Sequence, residues 1–459
     1  MVPRALLWGA LAPLAVFAPG ATQEIARPAS AYALVNARIV VSPGNVIERG
    51  TVVFRDGRIE DVGSGIEAPS DAVRLDLDGY TVYPGMVEAA SSLWLPRIGR
   101  GGGRGGGRPS QEGGPPAALR PFRMAVEAFD ATEETLETLR EAGVTTVGLA
   151  FEGGIFPGQT GATSTGSGPR ASQILRTPIS LQIAFGRVPN GYPRTLMGAL
   201  AYIEQSWEDT SYDMRVRAAF RTDPTSSPRP QFDPEHEALI PAVRGTIPIW
   251  FAASRQRDFT RVADLAARLG VTDYTFLGGQ EGYLAIELLA DLGRPVIVSL
   301  DFPNPNQVTG RAFDYHIAPV TGDDVVDEAA DSATARATRG NAAALVDAGV
   351  RIALSSFGAD VSEFRSLVGS AIEAGLSADE ALRAVTTTPA ELLGLGGAIG
   401  TIERGKLANL LVTDGDLFDD DTHILHVFVE GQRFDYARES DDEDEDDDSG
   451  RDRPRGGGR

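Results

Sequence analysis

Residues 31 to 83 alternate apolar and polar positions in short runs, "AYALVNARIVV", "GTVVFRDGRIEDVGS" and "AVRLDLDGYTVYPG", broken at Pro-Gly and Asp-Gly pairs. A period of two between such turns predicts a β-rich segment of hairpins. From about residue 120 the period changes. "EETLETLREAG" has helical spacing, "VTTVGLAF" is an apolar run, and the alternation repeats. Further runs are "ISLQIAFG", "IPIWFAA", "DYTFLG", "RPVIVSL" and "VRIALSS", with amphipathic stretches such as "DFTRVADLAARLG" and "EGYLAIELLADLG" between them. Apolar strands alternating with helices predict βα units around a parallel sheet. With the run at Met86, seven strands of this kind can be counted, and residues 207 to 245, where the pattern is weak, leave room for an eighth. The chain then returns to β character in "IGTIERGKLANLLVTDGD" and "HILHVFVEGQRF". The expected fold class is therefore α/β: a (β/α)8 TIM-like barrel over residues 84–397, with a small β-sandwich formed by residues 31–83 and 398–436.

Composition places this fold. The chain has 459 residues, 42% of them hydrophobic, enough for one large or two ordinary domains. "MVPR" followed by "ALLWGALAPLAVFAPGA" reads as a secretory signal over residues 1–22, with a membrane anchor as the alternative. The absence of cysteine excludes disulfides and thiolate metal sites, and fits an exported, periplasmic or secreted bacterial protein with no stable span once the signal is removed. A net charge of −22 excludes nucleic acid as the expected partner. Part of that charge lies in residues 437–459, "ARESDDEDEDDDSGRDRPRGGGR", which read as a disordered acidic tail ending in Arg and Gly, or as a binder of cations or a basic partner. Residues 97–121, "RIGRGGGRGGGRPSQEGGPPAALRP", read as a flexible insertion after the first barrel strand, with anion binding by its arginines as the alternative.

"NARIV", "DGRIEDVG", "LDLDGYTVYPGMVEA" and "TTTPAELLGLGGAIGTIERGKLANLLVTDGD" together resemble the amidohydrolase superfamily, in particular its imidazolonepropionase-like and dihydroorotase-like branches. The resemblance spans residues 31 to 436, and Asn409 stands where its closing motif has an aspartate. It implies a barrel whose mouth holds zinc or another divalent metal, which activates water for attack on a carbon–nitrogen bond. It also implies a ligand set that this sequence lacks. The first two histidines would follow the frame Pro84-Gly85-Met86-Val87-Glu88, two apart so that both face one side of a strand, but those positions are Ala90 and Ser92. The only lysine, Lys406, lies outside the barrel, so no fourth-strand lysine exists. The fifth-strand histidine position holds Ala252, the sixth strand ends in "FLGGQEG", and the eighth-strand aspartate position holds Phe357, with Asp360 three residues on. Neither alanine nor a neutral serine ligates zinc, so no metal cofactor is expected.

Four histidines remain. His236, between Glu235 and Glu237 at a helix start, reads as a surface residue. His423 and His426 lie in the returning β segment and read as structural. His316, in a long loop after a barrel strand, is a candidate pocket residue, as are Glu281 and Asp301 at strand ends, where acids either catalyse or cap helices and pair with arginine. "GGIFPGQTGATSTGSG" reads as a flexible loop, with small-ligand or anion binding as the alternative. The function expected is an exported, metal-ligand-degenerate family member acting as a binding or assembly subunit, partnered by an active paralogue or by copies of itself. The alternatives are a hydrolase of carbon–nitrogen bonds with an atypical or metal-free site, and a structural scaffold if Phe357 and Trp250 plug the mouth.

Overall fold

The computed structural model describes residues 31–95, 118–186, 188, 191–302 and 336–436. The signal-like segment 1–22, most of the insertion 97–121, His316 and the tail 437–459 lie outside the described residues.

The N-terminal flank folds into β1 (Ala31–Ser42), β2 (Asn45–Arg55), β3 (Arg58–Gly63), β4 (Val73–Asp76) and β5 (Thr81–Pro84). The body carries β6 (Met86–Ser91), β7 (Val144–Leu149), β8 (Gly158–Gln159), β9 (Gly161–Ser164), β10 (Ile174–Arg176) and β11 (Leu181–Ile183), followed by β12 (Ile249–Ala253), β13 (Tyr274–Gly278), β14 (Val296–Ser299) and β15 (Ile352–Ser355). The C-terminal flank adds β16 (Leu410–Thr413), β17 (Ile424–Val429) and β18 (Gln432–Asp435).

The two flanks meet in one eight-stranded sheet, ordered β18-β17-β16-β5-β1-β2-β3 with β4 alongside β1. This is a single hydrogen-bonded sheet, because β5 pairs with β1 on one side and with β16 on the other. Its inner face is the apolar cluster of Leu34, Ile39, Val52, Phe54, Val82, Leu410 and Phe428. Turn chemistry sets its shape. Asp56 and Gly57 both have positive φ, as do Glu430 and Gly431, which is the geometry of two-residue hairpins that follow the strand twist. The two tips lie back to back, and a Cβ on Gly57 would come within 2.6 Å of the Glu430 carbonyl oxygen.

The body is mixed α/β, with its strands in two sheets. One is ordered β10-β9-β7-β6 and the other β15-β14-β13-β12-β11-β8. β11 to β15 run parallel, as do β6 and β7, and helices such as Gln256–Leu269 cover the outer faces with Phe259, Val262 and Leu265. Residues 207 to 245 hold no strand. They form the end of a long helix, Leu196–Thr222, and a second helix, Pro234–Val243, whose start Asp233 caps by accepting from the Glu235 and His236 amides.

The segment expected to be a flexible loop instead forms two short strands, β8 and β9. β8 and β9 run antiparallel to their neighbours, β9 against β7 and β8 against β11, so one short stretch of chain bridges the two sheets. Its glycines are required by crowding: a Cβ on Gly158 would meet the Arg123 carbonyl oxygen at 2.5 Å, and one on Gly161 would meet Val126 at 2.5 Å. Its hydroxyls are used internally, Thr160 Oγ1 lying 2.6 Å from Ser180 Oγ. The last residues of the expected insertion are also packed, with Ala118 and Leu119 buried and Leu119 bridged to Phe156.

The flanks are fastened to the body by Arg140, which is buried. Its guanidinium donates to the Thr165 carbonyl at 2.7 Å and to Glu133 at 2.6 Å, and stacks 4.0 Å over the Phe434 ring of β18.

The interlocked hairpin tips give a direct test. Gly65 also has positive φ, but a Cβ there would have nothing within 4 Å, whereas one on Gly57 would meet backbone. Gly57→Ala should therefore destabilise the fold by about 1–3 kcal/mol more than Gly65→Ala, the left-handed strain being common to both. Urea unfolding of the two variants measures the difference.

Candidate functional site

Strand alternation decides which side chains enter the body's interior. On β12, β13, β14 and β15 the residues Phe251, Phe276, Val298 and Leu354 belong to the outer, helix-covered core, while Trp250, Leu277, Ile297 and Ala353 belong to a separate inner cluster. Leu277, Ile297 and Ala353 are in register across three strands, with Ala252 opposite Leu277. Ser299 and Ser355 are paired two residues further on, at the carboxyl ends of β14 and β15. This is the end of the strands at which a parallel α/β body presents its chemistry.

Ala90 and Phe357 both belong to the inner cluster, together with Trp250. Ala252 is buried on the same strand face as Trp250, one inward position further along. Ser92 lies just past β6 and is half-buried. Two of the four expected positions thus meet in one apolar cluster, a third continues the same face, and Ser92 stands at the rim.

The acids diverge. Glu281 accepts from the Gln256 amide at 2.9 Å, at the start of the helix Gln256–Leu269, so it caps that helix. Asp301 stays at the strand ends: its carbonyl accepts from Gln280 Nε2 at 3.2 Å, and its amide donates to Ser299 Oγ at 3.1 Å. His236 lies on its helix, with Nδ1 3.7 Å from Asp213. His423 and His426 belong to the flank sheet, His426 pairing with Asp435 at 2.8 Å.

The residue that organises these strand ends is Glu88, which the sequence pattern presents only as part of a frame. It is fully buried on β6. Its Oε1 accepts from the Ala90 amide at 3.1 Å and the Ser356 amide at 3.1 Å, and its Oε2 lies 3.0 Å from the same Ser356 amide. The Ser355 hydroxyl donates to the Ala90 carbonyl and accepts from the Phe357 amide at 2.9 Å. The Ser299 hydroxyl donates to the Phe357 carbonyl at 2.6 Å. Ser356 Oγ is buried beside this network, outside hydrogen-bond geometry. A signal was available in the sequence: Glu88 is the one charged residue in the strand "MVEAAS", and "LSSFG" sets twin serines at a strand end.

Removal from water pushes the Glu88 carboxyl up to about 7, against the opposing pull of the Ser356 amide, the Ser355 hydroxyl and the Ala90 amide. The polar groups facing one another here are therefore one carboxyl of near-neutral pKa and serine hydroxyls already committed to backbone groups. Among the described residues, no group of three or more His, Cys, Asp or Glu is placed to hold a metal ion.

Known proteins share this arrangement of strands. A model of the amidohydrolase family matches residues 266–434. The chain is 38% identical over 96 residues to an imidazolonepropionase of Rhodococcus jostii (strain RHA1), a match covering 21% of this chain and 22% of that protein. It is 36% identical over 108 residues to an N-substituted formamide deformylase of Arthrobacter pascens, covering 19% of this chain and 20% of that protein. The matched stretch is thus about a fifth of each of these relatives. The structure of an amidohydrolase from Thermotoga maritima MSB8 superposes with a TM-score of 0.70 at 24% identity, covering 88% of this chain and 100% of that one.

Burial of Glu88 has a pH signature. Its folded pKa lies above the ordinary carboxyl value, so the folded state holds the proton more tightly than the unfolded chain. The stability this confers is complete below the ordinary carboxyl value and is lost as pH rises through about 7. The stability difference between wild type and Glu88→Gln should therefore shift by about 3 kcal/mol between pH 4.5 and pH 8, the wild type losing ground at high pH. Denaturant unfolding of both proteins across that range measures it.

Proposed function

Since the chain belongs to the amidohydrolase superfamily, we propose that it is a member whose metal centre has been replaced, and that it works as a binding or assembly subunit. The observation that carries this reading is the set of donors at the strand ends. A divalent cation of the zinc type needs about four histidine, carboxylate or thiolate ligands. Here Ala90, Ala252 and Phe357 offer none, and the Ser299 and Ser355 hydroxyls are bonded to backbone. Both oxygens of the Glu88 carboxyl face backbone amides, and Asp301 at the end of β14 adds a single further carboxylate, short of four ligands. These residues do not fit a divalent metal.

The same reading includes a closed barrel. Seven parallel strands, the reversed β8–β9 segment, and the side-chain bonds from β6 to β15 support a ring with one stave inverted. The interior of such a ring is filled by Trp250, Phe357, Leu277 and Ile297, which favours binding over turnover. Its partner in assembly would be an active paralogue or a second copy of this chain, met outside the cytoplasm if the segment 1–22 directs export.

A second reading, metal-free hydrolysis of a carbon–nitrogen bond, draws on the Glu88 carboxyl, whose pKa near 7 suits a general acid or base. Against it, that carboxyl is wholly enclosed.

Two measurements on the full chain separate the readings. Elemental analysis after dialysis against zinc or manganese should find well under one metal ion per chain, and a stoichiometric ion would overturn the proposal. Turnover of a panel of cyclic imides, N-formyl amines and simple amides should be indistinguishable from buffer. Turnover abolished by Glu88→Gln, with no metal bound, would establish the second reading instead.

A further inference from the structure

We propose that Glu88, Ser355 and Ser299 form a clasp that holds the strand ends of β6, β14 and β15 together through backbone groups, so that this end of the body is closed without any cation. The proposal rests on the reading that the metal centre has been replaced, and deepens it by naming what stands there.

The need for a clasp follows from the sheet topology. Among the described residues β6 forms a ladder with β7 and β15 with β14, and no ladder joins β6 to β15. Adjacent strand ends without a ladder leave buried N–H and C=O groups that must find partners elsewhere. At this seam those partners are side chains. The Ser356 amide finds both oxygens of Glu88, and the Ala90 carbonyl finds the Ser355 hydroxyl. The Phe357 carbonyl finds the Ser299 hydroxyl, while its amide finds Ser355 Oγ.

Each serine oxygen acts as donor and acceptor at once, Ser355 between Ala90 and Phe357, Ser299 between Phe357 and Asp301. A hydroxyl in that role has its proton and one of its two lone pairs committed, and no freedom to rotate toward a ligand. Ala89, Ala90 and Ala353, all buried, leave the strands room to approach. The three polar side chains lie on three different strands, and their bonds reach β6 and the chain at the end of β15 through backbone groups. Loss of any one therefore loosens the seam while leaving the outer core of Phe259, Phe276 and Leu354 intact.

The test is peptide-resolved hydrogen exchange on the full-length protein, with and without a chelator, for wild type, Ser355→Ala, Ser299→Ala and Glu88→Gln. In wild type the peptides covering 86–93 and 352–358 should exchange slowly, and the chelator should change nothing. Each variant should accelerate exchange in those peptides by about tenfold or more while leaving the helix Gln256–Leu269 unchanged. Ser299→Ala, which removes one hydroxyl and no charge, keeps the test open if Glu88→Gln does not fold. No change in the seam peptides in Ser355→Ala and Ser299→Ala, with no chelator effect, would overturn the clasp and leave the metal-free reading standing. Acceleration in wild type on adding chelator would overturn both. Acceleration spread evenly over the whole chain would show global destabilisation and overturn the clasp.

Discussion

A carboxyl taken out of water must be neutral or well bonded, and Glu88 sits where both conditions are partly met. Desolvation of the charged form is offset by amides that point at it, and the balance falls near neutrality. Those amides belong to the turn after β15 and to β6 itself, so meeting the needs of one side chain fixes the relative position of two strands that share no ladder. The apolar interior depends on that fixing. Ala90 and Phe357 pack into one cluster with Trp250 because the strand ends that carry the first two are held in place. Ala252, Leu277, Ile297 and Ala353 form one row across the parallel strands, with Trp250 one inward position before it; Ala90 and Phe357, at the strand ends, are where this chain is particular.

Fold and chemistry are separate questions at these strand ends. The fold neighbours share a body plan at identities too low to carry an activity, and function resides in the side chains at the strand ends. An isolated loss of one ligand would leave the remaining donors exposed and unpaired, a costly arrangement in a buried site. Here the Glu88 carboxyl and the Ser299 and Ser355 hydroxyls are paired within the protein, and Ala90, Trp250 and Phe357 pack in one apolar cluster. That is the packing of a core.

Much of this was legible in the sequence, and the reasons differ by element. The flank sheet could be read because Asp56-Gly57 and Glu430-Gly431 announce hairpins between alternating runs. The parallel strands could be read because apolar runs buried on both faces alternate with amphipathic helices such as Gln256–Leu269. The reversed β8–β9 segment could not, since its glycines, threonines and serines carry the composition of a loop and its strands are only two and four residues long. The helix Leu196–Thr222 was equally opaque: its buried residues, Ala199, Ile203, Trp207 and Thr210, occupy only its first part, so no apolar stripe runs its length. Ala90, Ala252 and Phe357 were expected site positions through resemblance alone, and of these Ala90 and Phe357 lie in one apolar cluster. Glu88 was missed because the same resemblance treats it as framing, and only the geometry shows which amides it meets.

The flank sheet interleaves the two ends of the chain, with β5 against β16 and the tip at Gly57 against the tip at Glu430. On a ribosome these partners are made far apart in time. The first five strands must wait, with the face of Leu34, Ile39 and Phe54 uncovered, until more than three hundred further residues have been added. Arg140 waits likewise for the Phe434 ring. Contacts of such sequence separation form late and slowly. The N-terminal strands are thus a half-interface whose other half is the end of the same molecule, left uncovered until that end is made.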